Sequence, residues 1–265
     1  RKRCDGCSAV HWTHAGAVGK GTLRAMARVV AFDPTFDFRT DAGGRDPDAA
    51  SLTLRAYHKL LWSKQLPSGE PFDLSDTEPG AYLCHRSRRR KFILVSDSAM
   101  PTFIRYRRMA HVIPLIPERQ RQDFDAIAYQ MGGMMLFPGD RIDGKQTING
   151  ARGFNRKIAD RLDLTVECIR RHYMGETSPL GETLNRYRDF FDLFADFRGY
   201  VDFFLLQDLL TEDRSAVTFL VPFDDFQGPP LPTSVESYWG YQRNSISFVK
   251  ARNRRMVESL AGRQE

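Results

Sequence analysis

The sequence predicts an α+β fold: a single compact domain in which a small mixed or antiparallel sheet packs with several helices. Short apolar runs of strand length lie mostly in the first half of the chain, whereas helical spacing makes the C-terminal half helix-rich. The chain has 265 residues, of which 42% are hydrophobic, so one domain can bury a sizeable core. Charged residues make up 27%, a near-average share that argues against disorder.

Five short runs predict strands, because they combine apolar and β-branched residues with turn signals on either side. The runs are residues 81–84, 92–96, 102–106, 134–137 and 216–221. Pro138 and Gly139 end the fourth run, since neither residue favours a continuing strand.

Apolar residues at three- and four-residue spacing predict helices over residues 51–64, 118–130 and 235–260. Ser51 is the expected N-cap of the first helix, and we expect the last helix to be broken or flexible near Gly240. Residues 178–210 are strongly aromatic, and Gly199 divides them into two helical runs. This helical pair is predicted to form much of the core.

The chain is organised around residues 131–173, which predict a buried strand, a polar loop and a helix in that order. Asn155 is the predicted N-cap of this helix, because its side-chain oxygen can accept from a free amide in the first turn. The apolar face of the helix is Ile158, Leu162, Thr165, Val166, Ile169 and Tyr173. Elsewhere on the helix surface, two pairs of oppositely charged residues are each spaced four positions apart: Arg156 with Asp160, and Glu167 with Arg171.

A polar loop that follows a buried strand and leads into a helix N-terminus is a common anion site, because free amides and the helix dipole point there. Arginine guanidinium groups near such a helix N-terminus can also bind the phosphate or carboxylate of a ligand. The predicted ligand-binding residues are Arg152, Asn155, Arg161 and Arg170. Glu167 is the predicted general base, with Asp163 as its orienter or as a metal ligand. The alternative is a solvated helix whose charges pair with one another.

Charge is unevenly spread along the chain, whose formal net charge is +6. Residues 86–171 contain 18 Lys and Arg against 9 Asp and Glu, a net charge of +9, and residues 172–242 contain 4 against 12, a net charge of −8. Either the two regions pack together and neutralise each other, or the first presents a basic surface to a nucleic acid.

Residues 1–25 show no helical or strand period and are predicted to be a non-native or disordered extension, with residues 26–265 as the globular domain. The extension contains Cys4, Cys7, His11 and His14, but the three-residue gap between Cys and His is short for a zinc finger, and no metal site is predicted.

The other two cysteines, Cys84 and Cys168, lie singly in apolar patterns, which is typical of buried free thiols and of a reduced, cytoplasmic setting. No apolar run is long enough to cross a bilayer, so no membrane partner is predicted.

The chain resembles a family of uncharacterised bacterial proteins known only as a domain of unknown function. The segments that carry the resemblance are INGARGFNRKIADRLDLTVECIRRHY (148–173), SPL (178–180), FFDLF (190–194) and GYVDFFLLQDLL (199–210). The likeness runs from Phe32 to the ARNRR segment (251–255). It implies a bacterial protein and no particular activity, cofactor or catalytic residue.

Common phosphate-binding, dinucleotide-binding, serine-hydrolase and zinc-protease motifs are absent from the sequence. The predicted anion site of the polar loop and helix instead leads us to expect an enzyme or binding protein for a phosphorylated or nucleotide-like small anion, with its cofactor unknown. The alternatives are a nucleic-acid-binding module that uses residues 86–171, and a protein-interaction domain without catalysis.

Overall fold

The computed structural model describes residues 31–88 and 90–263, and within them the α+β fold is confirmed. The strands are β1 (Lys64–Gln65), β2 (Pro71–Phe72), β3 (Leu74–Ser75), β4 (Leu83–Arg86), β5 (Lys91–Ser98) and β6 (Met134–Pro138). The α-helices are α1 (Pro47–Ala50), α2 (Leu52–Trp62), α3 (Glu118–Ala128), α4 (Ile148–Phe154), α5 (Leu162–Met174), α6 (Gly181–Arg186), α7 (Arg188–Phe191), α8 (Phe197–Phe204) and α9 (Val235–Ala261). The predicted extension of residues 1–25, with its cysteines and histidines, lies outside the described residues.

The main sheet is antiparallel, with strand order β3-β4-β5-β6, and β1 and β2 form a second, two-stranded sheet. Leu83 of β4 pairs with Leu94 of β5, and Ser98 of β5 pairs with Met134 of β6. Beyond Leu94, β5 therefore pairs with β6 on one side. On the other side it has no strand partner among the described residues, because β4 does not extend past Leu83. This open edge lies at the candidate site described below.

Two strand predictions were wrong. Residues 102–106 form a turn in which Phe103 has a φ of 60° and its carbonyl accepts a hydrogen bond from the Tyr106 amide. That backbone buries the Phe103 ring, and it cannot continue an extended strand. Residues 216–221 make one isolated bridge, between Leu210 and Val217.

The helix predictions hold for α2, α3 and α9, and Ser51 caps α2 by accepting from the Leu54 amide. Two details differ. Helix α9 continues unbroken through Gly240. The aromatic pair consists of three shorter helices, α6 to α8: Tyr187 separates α6 from α7, and Ala195 turns the chain before α8 with a φ of 66°. The predicted division at Gly199 is wrong, because Gly199 lies inside α8. The predicted burial of its aromatic residues is confirmed: Phe190, Phe191, Phe194, Tyr200 and Phe204 are fully buried.

The central helix begins later than predicted. Helix α4 ends at Phe154, and the Asn155 amide donates to the Ala151 carbonyl, so Asn155 is the C-cap of α4 and not the N-cap of α5. Ala159 and Asp160 follow in left-handed backbone conformations, and α5 starts at Leu162 with Arg161 as its N-cap residue. The predicted helical pair of Arg156 and Asp160 is therefore wrong. Ile158 is buried, but in the connecting loop.

Among the described residues, no helix combines the length and the apolar character that crossing a membrane requires.

Candidate functional site

An ion pair stands at the start of α5. The Arg161 Nε donates to Asp163 Oδ1 at 3.0 Å, and its Nη2 donates to Asp163 Oδ2. Arg161 also donates to the Pro230 carbonyl at 2.8 Å, and the Leu220 amide donates to Asp163 Oδ2 at 2.9 Å. Both charged side chains are buried. This pair therefore fastens two loops of the C-terminal half to α5.

Glu167 lies one turn further along α5, between two arginines. Arg170 donates to both carboxylate oxygens, at 2.8 and 3.0 Å, and Arg171 donates to Oε1 at 2.7 Å. The hydrogen bond that Arg170 donates to Glu167 is the main reason that the pKa of Arg170 is raised. Glu167 is 4% exposed, and its predicted pairing with Arg171 is confirmed. Its lone pairs are largely engaged by these arginines.

Asn155 joins two parts of the backbone. Its Nδ2 donates to the Pro179 carbonyl at 3.1 Å, and its Oδ1 accepts from the Lys157 amide at 2.8 Å. The side chain therefore stabilises the loop between α4 and α5. The predicted ligand and catalytic roles of Asn155, Arg161, Asp163, Glu167 and Arg170 stay predictions.

Arg152 belongs to a different environment from the other predicted arginines. Its side chain is fully buried, and its Nε donates to Thr165 Oγ1 at 2.8 Å. Nη2 donates to the Asp160 carbonyl at 2.7 Å, and Nη1 donates to the Asp97 carboxylate. The Asp160 carboxylate lies 3.4 Å from Nη2. Arg152 thus lies beneath two carboxylates that are 18% and 25% exposed, those of Asp97 and Asp160 respectively.

Side chains take the place of a neighbouring strand at the open edge of β5. The Ser98 amide donates to Asp48 Oδ2 at 2.8 Å. The Ser96 carbonyl accepts from Asn149 Nδ2 at 3.4 Å. Asp48 comes from α1 and Asn149 from α4, so two helices cover backbone groups that a strand would otherwise pair. Asn149 lies one turn before Arg152 on the same helix.

Three carboxylates influence one another here: Asp48, Asp97 and Asp160. Burial raises the pKa of Asp48 to about 7, the nearby charges of Asp46 and Asp160 add to the increase, and the Ser98 amide and Arg152 oppose it. Burial also raises the pKa of Asp97 well above its usual range, with the charge of Arg152 opposing and those of Asp160 and Asp48 adding. Neighbouring buried carboxylates with raised pKa values, such as Asp48 and Asp97, are common at functional sites.

Several buried polar atoms of the same region have no hydrogen-bond partner among the described residues. They are Asp48 Oδ1, Arg55 Nε, the Tyr82 hydroxyl and Asn149 Oδ1. The Arg55 guanidinium lies over the Tyr82 ring, 4.5 Å from its centroid. Burial raises the pKa of Tyr82, Arg55 and Ser96 oppose this rise and the charge of Asp48 adds to it, which places the phenol near all three groups. Buried polar groups in folded proteins are normally paired, so four such atoms together need an explanation.

We call these residues the β5-edge cluster: Asp48, Arg55, Tyr82, Ser96, Asp97, Asn149, Arg152 and Asp160. Two tyrosines border it. Burial raises the pKa of Tyr106 to about 12, with Asp160 adding to the rise and Arg108 opposing it. Burial likewise raises the pKa of Tyr129 to about 12, with Asp48 adding and Arg105 opposing. Arg105 and Arg108 are exposed and form no ion pair within the described part of the chain, so they supply a basic rim.

Other basic residues of the 86–171 region pair with carboxylates. In the β4–β5 hairpin, Arg86 and Lys91 contact Glu78, Arg88 contacts Glu70 and Arg90 contacts Asp189. Among the described residues, three ion pairs join this region to the acidic region of residues 172–242: Arg90–Asp189, Arg170–Glu176 and Arg171–Asp225. Much of the basic charge is therefore neutralised within the fold.

In the described part of the chain, no group of three or more His, Cys, Asp or Glu side chains is placed to hold a metal ion. Cys84 and Cys168 are buried free thiols, as predicted.

The sequence reasoning missed every member of the β5-edge cluster except Arg152. One signal was available: Ser96, Asp97 and Ser98 form a polar end to a strand whose preceding residues, 92–95, are all apolar. Such a polar ending marks a place where a strand leaves the core and can present side chains to a ligand.

Comparison with known proteins gives one match. Residues 32–256 match the model of a family of unknown function, DUF6994. The search of curated proteins and the search of solved structures found no match.

Proposed function

The chain belongs to the DUF6994 family, and since the function of that family is unknown, we propose from the geometry that the β5-edge cluster binds a small phosphorylated, nucleotide-like ligand. In this proposal, Asp48 and Asp97 exchange protons with the bound molecule. The sequence predicts such a ligand, and the buried polar atoms of the cluster support this position for it.

The observation that carries the proposal is the group of four buried polar atoms without a partner among the described residues. A buried donor or acceptor left unpaired costs about 1–3 kcal/mol, so four in one cluster are expensive unless they bind something. Asp48 and Asn149 offer acceptors, Arg55 offers a donor, and the Tyr82 hydroxyl can do either. This mixture suits a ligand that carries both hydroxyl groups and anionic oxygens.

Two parts of such a ligand match two parts of the cluster. Sugar hydroxyls donate well to carboxylate and amide oxygens, which Asp48, Asp97 and Asn149 supply. A phosphate group would bind Arg55 or the exposed arginines of the rim, because guanidinium groups bind phosphate with paired hydrogen bonds.

Proton exchange is assigned to Asp48 and Asp97 because an acid or base works best when its pKa lies near the working pH. Asp48 meets this condition with a pKa of about 7. The Asp97 carboxylate is partly exposed above the buried Arg152, so it is accessible to a ligand while its position is fixed from below.

The predicted residues of α5 receive less support as direct ligands. Arg161 and Asp163 satisfy each other, and Glu167 is held by two arginines. A ligand there would first have to separate these pairs. The nucleic-acid alternative has less support for a similar reason, because the hairpin arginines described above already contact carboxylates.

Thermal unfolding of the full chain tests the proposal, with ribose 5-phosphate, nucleoside monophosphates and inorganic phosphate as small probes and short RNA and DNA as polymers. A ligand at about 100 times its Kd stabilises the folded state by about 2.7 kcal/mol. For a chain of this size, that corresponds to a rise in Tm of roughly 5–10 °C. We expect a small probe to give this rise at both low and high salt.

Two variants locate the binding. Asp48→Asn and Arg55→Ala should each abolish or strongly reduce the rise in Tm, whereas Arg198→Ala, which removes an exposed arginine outside the cluster, should leave it unchanged. If both cluster variants keep the full rise, the ligand binds elsewhere and the proposal fails. A rise seen with nucleic acid alone and lost at high salt would favour the nucleic-acid module.

A further inference from the structure

A chain of three side chains leads from the core to the β5-edge cluster. The Trp62 indole Nε1 donates to His58 Nδ1 at 3.1 Å, and His58 Nε2 lies 2.9 Å from Ser96 Oγ. Trp62 and His58 are fully buried, and Ser96 is 7% exposed. The Tyr82 ring lies 6.4 Å from the His58 ring, between centroids. Ser96 also opposes the rise in the pKa of Tyr82, so the last member of this chain lies beside the Tyr82 hydroxyl.

The direction of these hydrogen bonds follows from the chemistry of the indole. Trp62 can only donate, so His58 Nδ1 must be the acceptor and carries no proton. A neutral imidazole with a bare Nδ1 has its proton on Nε2, which then donates to Ser96 Oγ. Burial, with a smaller contribution from the charge of Arg252, lowers the pKa of His58 to about 3, so the ring stays neutral.

We infer that Trp62 and His58 are positioning residues that hold Ser96 as a hydrogen-bond donor to the ligand and prevent it from acting as a nucleophile. Ser96 Oγ already accepts a hydrogen bond from His58, so its own hydrogen is available to donate on the side of the Tyr82 hydroxyl, whose pKa Ser96 lowers. An activated serine needs the opposite arrangement, in which a histidine nitrogen accepts the serine proton. Here the nitrogen that faces Ser96 carries a proton.

The donor role narrows the class of ligand, and this step depends on the proposed function. Ser96 and Arg55 both offer hydrogens near the Tyr82 hydroxyl. The Tyr82 oxygen can accept these hydrogens itself, and a ligand that replaces it there would do so with an acceptor, such as a phosphate or carbonyl oxygen. The hydroxyl groups of the ligand are left to the carboxylates of Asp48 and Asp97.

Long-range proton–nitrogen NMR of the full chain, labelled with nitrogen-15, reads the tautomer of His58 without any ligand. The signal is assigned by its absence in His58→Gln. We expect a neutral ring with its proton on Nε2. A proton on Nδ1, or a charged ring at pH 7, would overturn the inference even if ligand binding were established.

Two further measurements test Ser96 itself. Ser96→Ala should weaken the affinity for ribose 5-phosphate by about three- to tenfold, the effect of losing one neutral hydrogen bond. Ser245→Ala, which removes the hydroxyl of a fully buried serine on α9, should leave the affinity unchanged. A fluorophosphonate reagent, which labels activated serines, should not modify Ser96. Labelling of Ser96, or an unchanged affinity in Ser96→Ala, would overturn the inference.

The outcomes separate the inference from the proposed function. If the proton is on Nε2 but no small probe binds the wild-type protein, the proposed function and the donor role both fail. If a probe binds and depends on Asp48 but the proton is on Nδ1, the binding site stands and the inference fails.

Discussion

Replacing Asp48 with Asn should change how the stability of the protein depends on pH. The Asp48 carboxylate accepts one backbone hydrogen bond, from the Ser98 amide, and its other oxygen is buried without a partner in the described part of the chain. Burial, helped by the charges of Asp46 and Asp160, raises its pKa from 3.8 to about 7. Asn keeps the shape of the side chain and one acceptor oxygen, but it cannot ionise.

The sign follows from proton binding. Between about pH 4 and pH 7, the folded protein keeps the Asp48 proton while the unfolded chain has lost it. The free energy of unfolding therefore falls as the pH rises through this interval. A pKa of about 7 against 3.8 corresponds to at most about 4 kcal/mol, and structural relaxation will reduce that figure. In Asp48→Asn this contribution disappears, so the variant gains stability relative to the wild type as the pH rises.

Urea unfolding at pH 4.5, 6 and 8 measures the effect. Between pH 4.5 and pH 8, the unfolding free energy of the wild type should fall by more than that of Asp48→Asn. Asp143→Asn, which alters an exposed carboxylate, should follow the wild type. Some dependence of the same sign should remain in Asp48→Asn, since burial also raises the pKa of Asp97. Equal pH dependence in the wild type and in Asp48→Asn would refute the reasoning.

Three further predictions concern the fold, and urea unfolding at pH 7 checks each. Glu167→Gln should destabilise by about 1–3 kcal/mol, because it weakens three charge-assisted hydrogen bonds; an unchanged midpoint would contradict this. Arg252→Leu should cost more than about 2 kcal/mol, since the guanidinium binds three buried carbonyls; a neutral result would show that water satisfies them. Gly132→Ala should cost about 1–3 kcal/mol, because its Cβ would lie 2.3 Å from the Val249 carbonyl oxygen; Gly153→Ala, with open space around it, is the control.

Periodicity located most helices and the main strands because each of these elements buries one face. It failed where a buried residue continued the period across a break. Ile158 is in phase with the apolar face of α5, but Ala159 and Asp160 adopt left-handed conformations that end any helix between them. No feature of the spacing signals those two residues, since neither is the glycine that such positions favour. The same holds for Phe103, whose burial overrides the extended preference of its neighbours.

The candidate site was harder to predict because its parts are far apart in the sequence. Glu167 and Arg171 are four residues apart on one helix, so spacing alone predicted their contact. Arg152 and Asp97 are 55 positions apart, and Arg152 and Asp160 meet only because the chain reverses between α4 and α5. The sequence therefore identified Arg152 as a charged residue of interest without indicating which carboxylates it contacts.

The two charged networks differ in a way that bears on function. In α5, Arg161 and Asp163 are matched one to one and buried, and neighbouring backbone groups take up the remaining bonds, as in an ion pair that stabilises a fold. At the β5 edge, Asp97 and Asp160 share one fully buried arginine, while Asp48 forms no ion pair and four polar atoms have no partner among the described residues. Burial raises the pKa values of Asp48 and Asp97. A cluster kept for stability would gain from a second cation or from apolar replacements, since unpaired buried charge costs several kcal/mol. The mismatch is therefore better explained by a ligand that supplies the missing hydrogen bonds than by the stability of the fold.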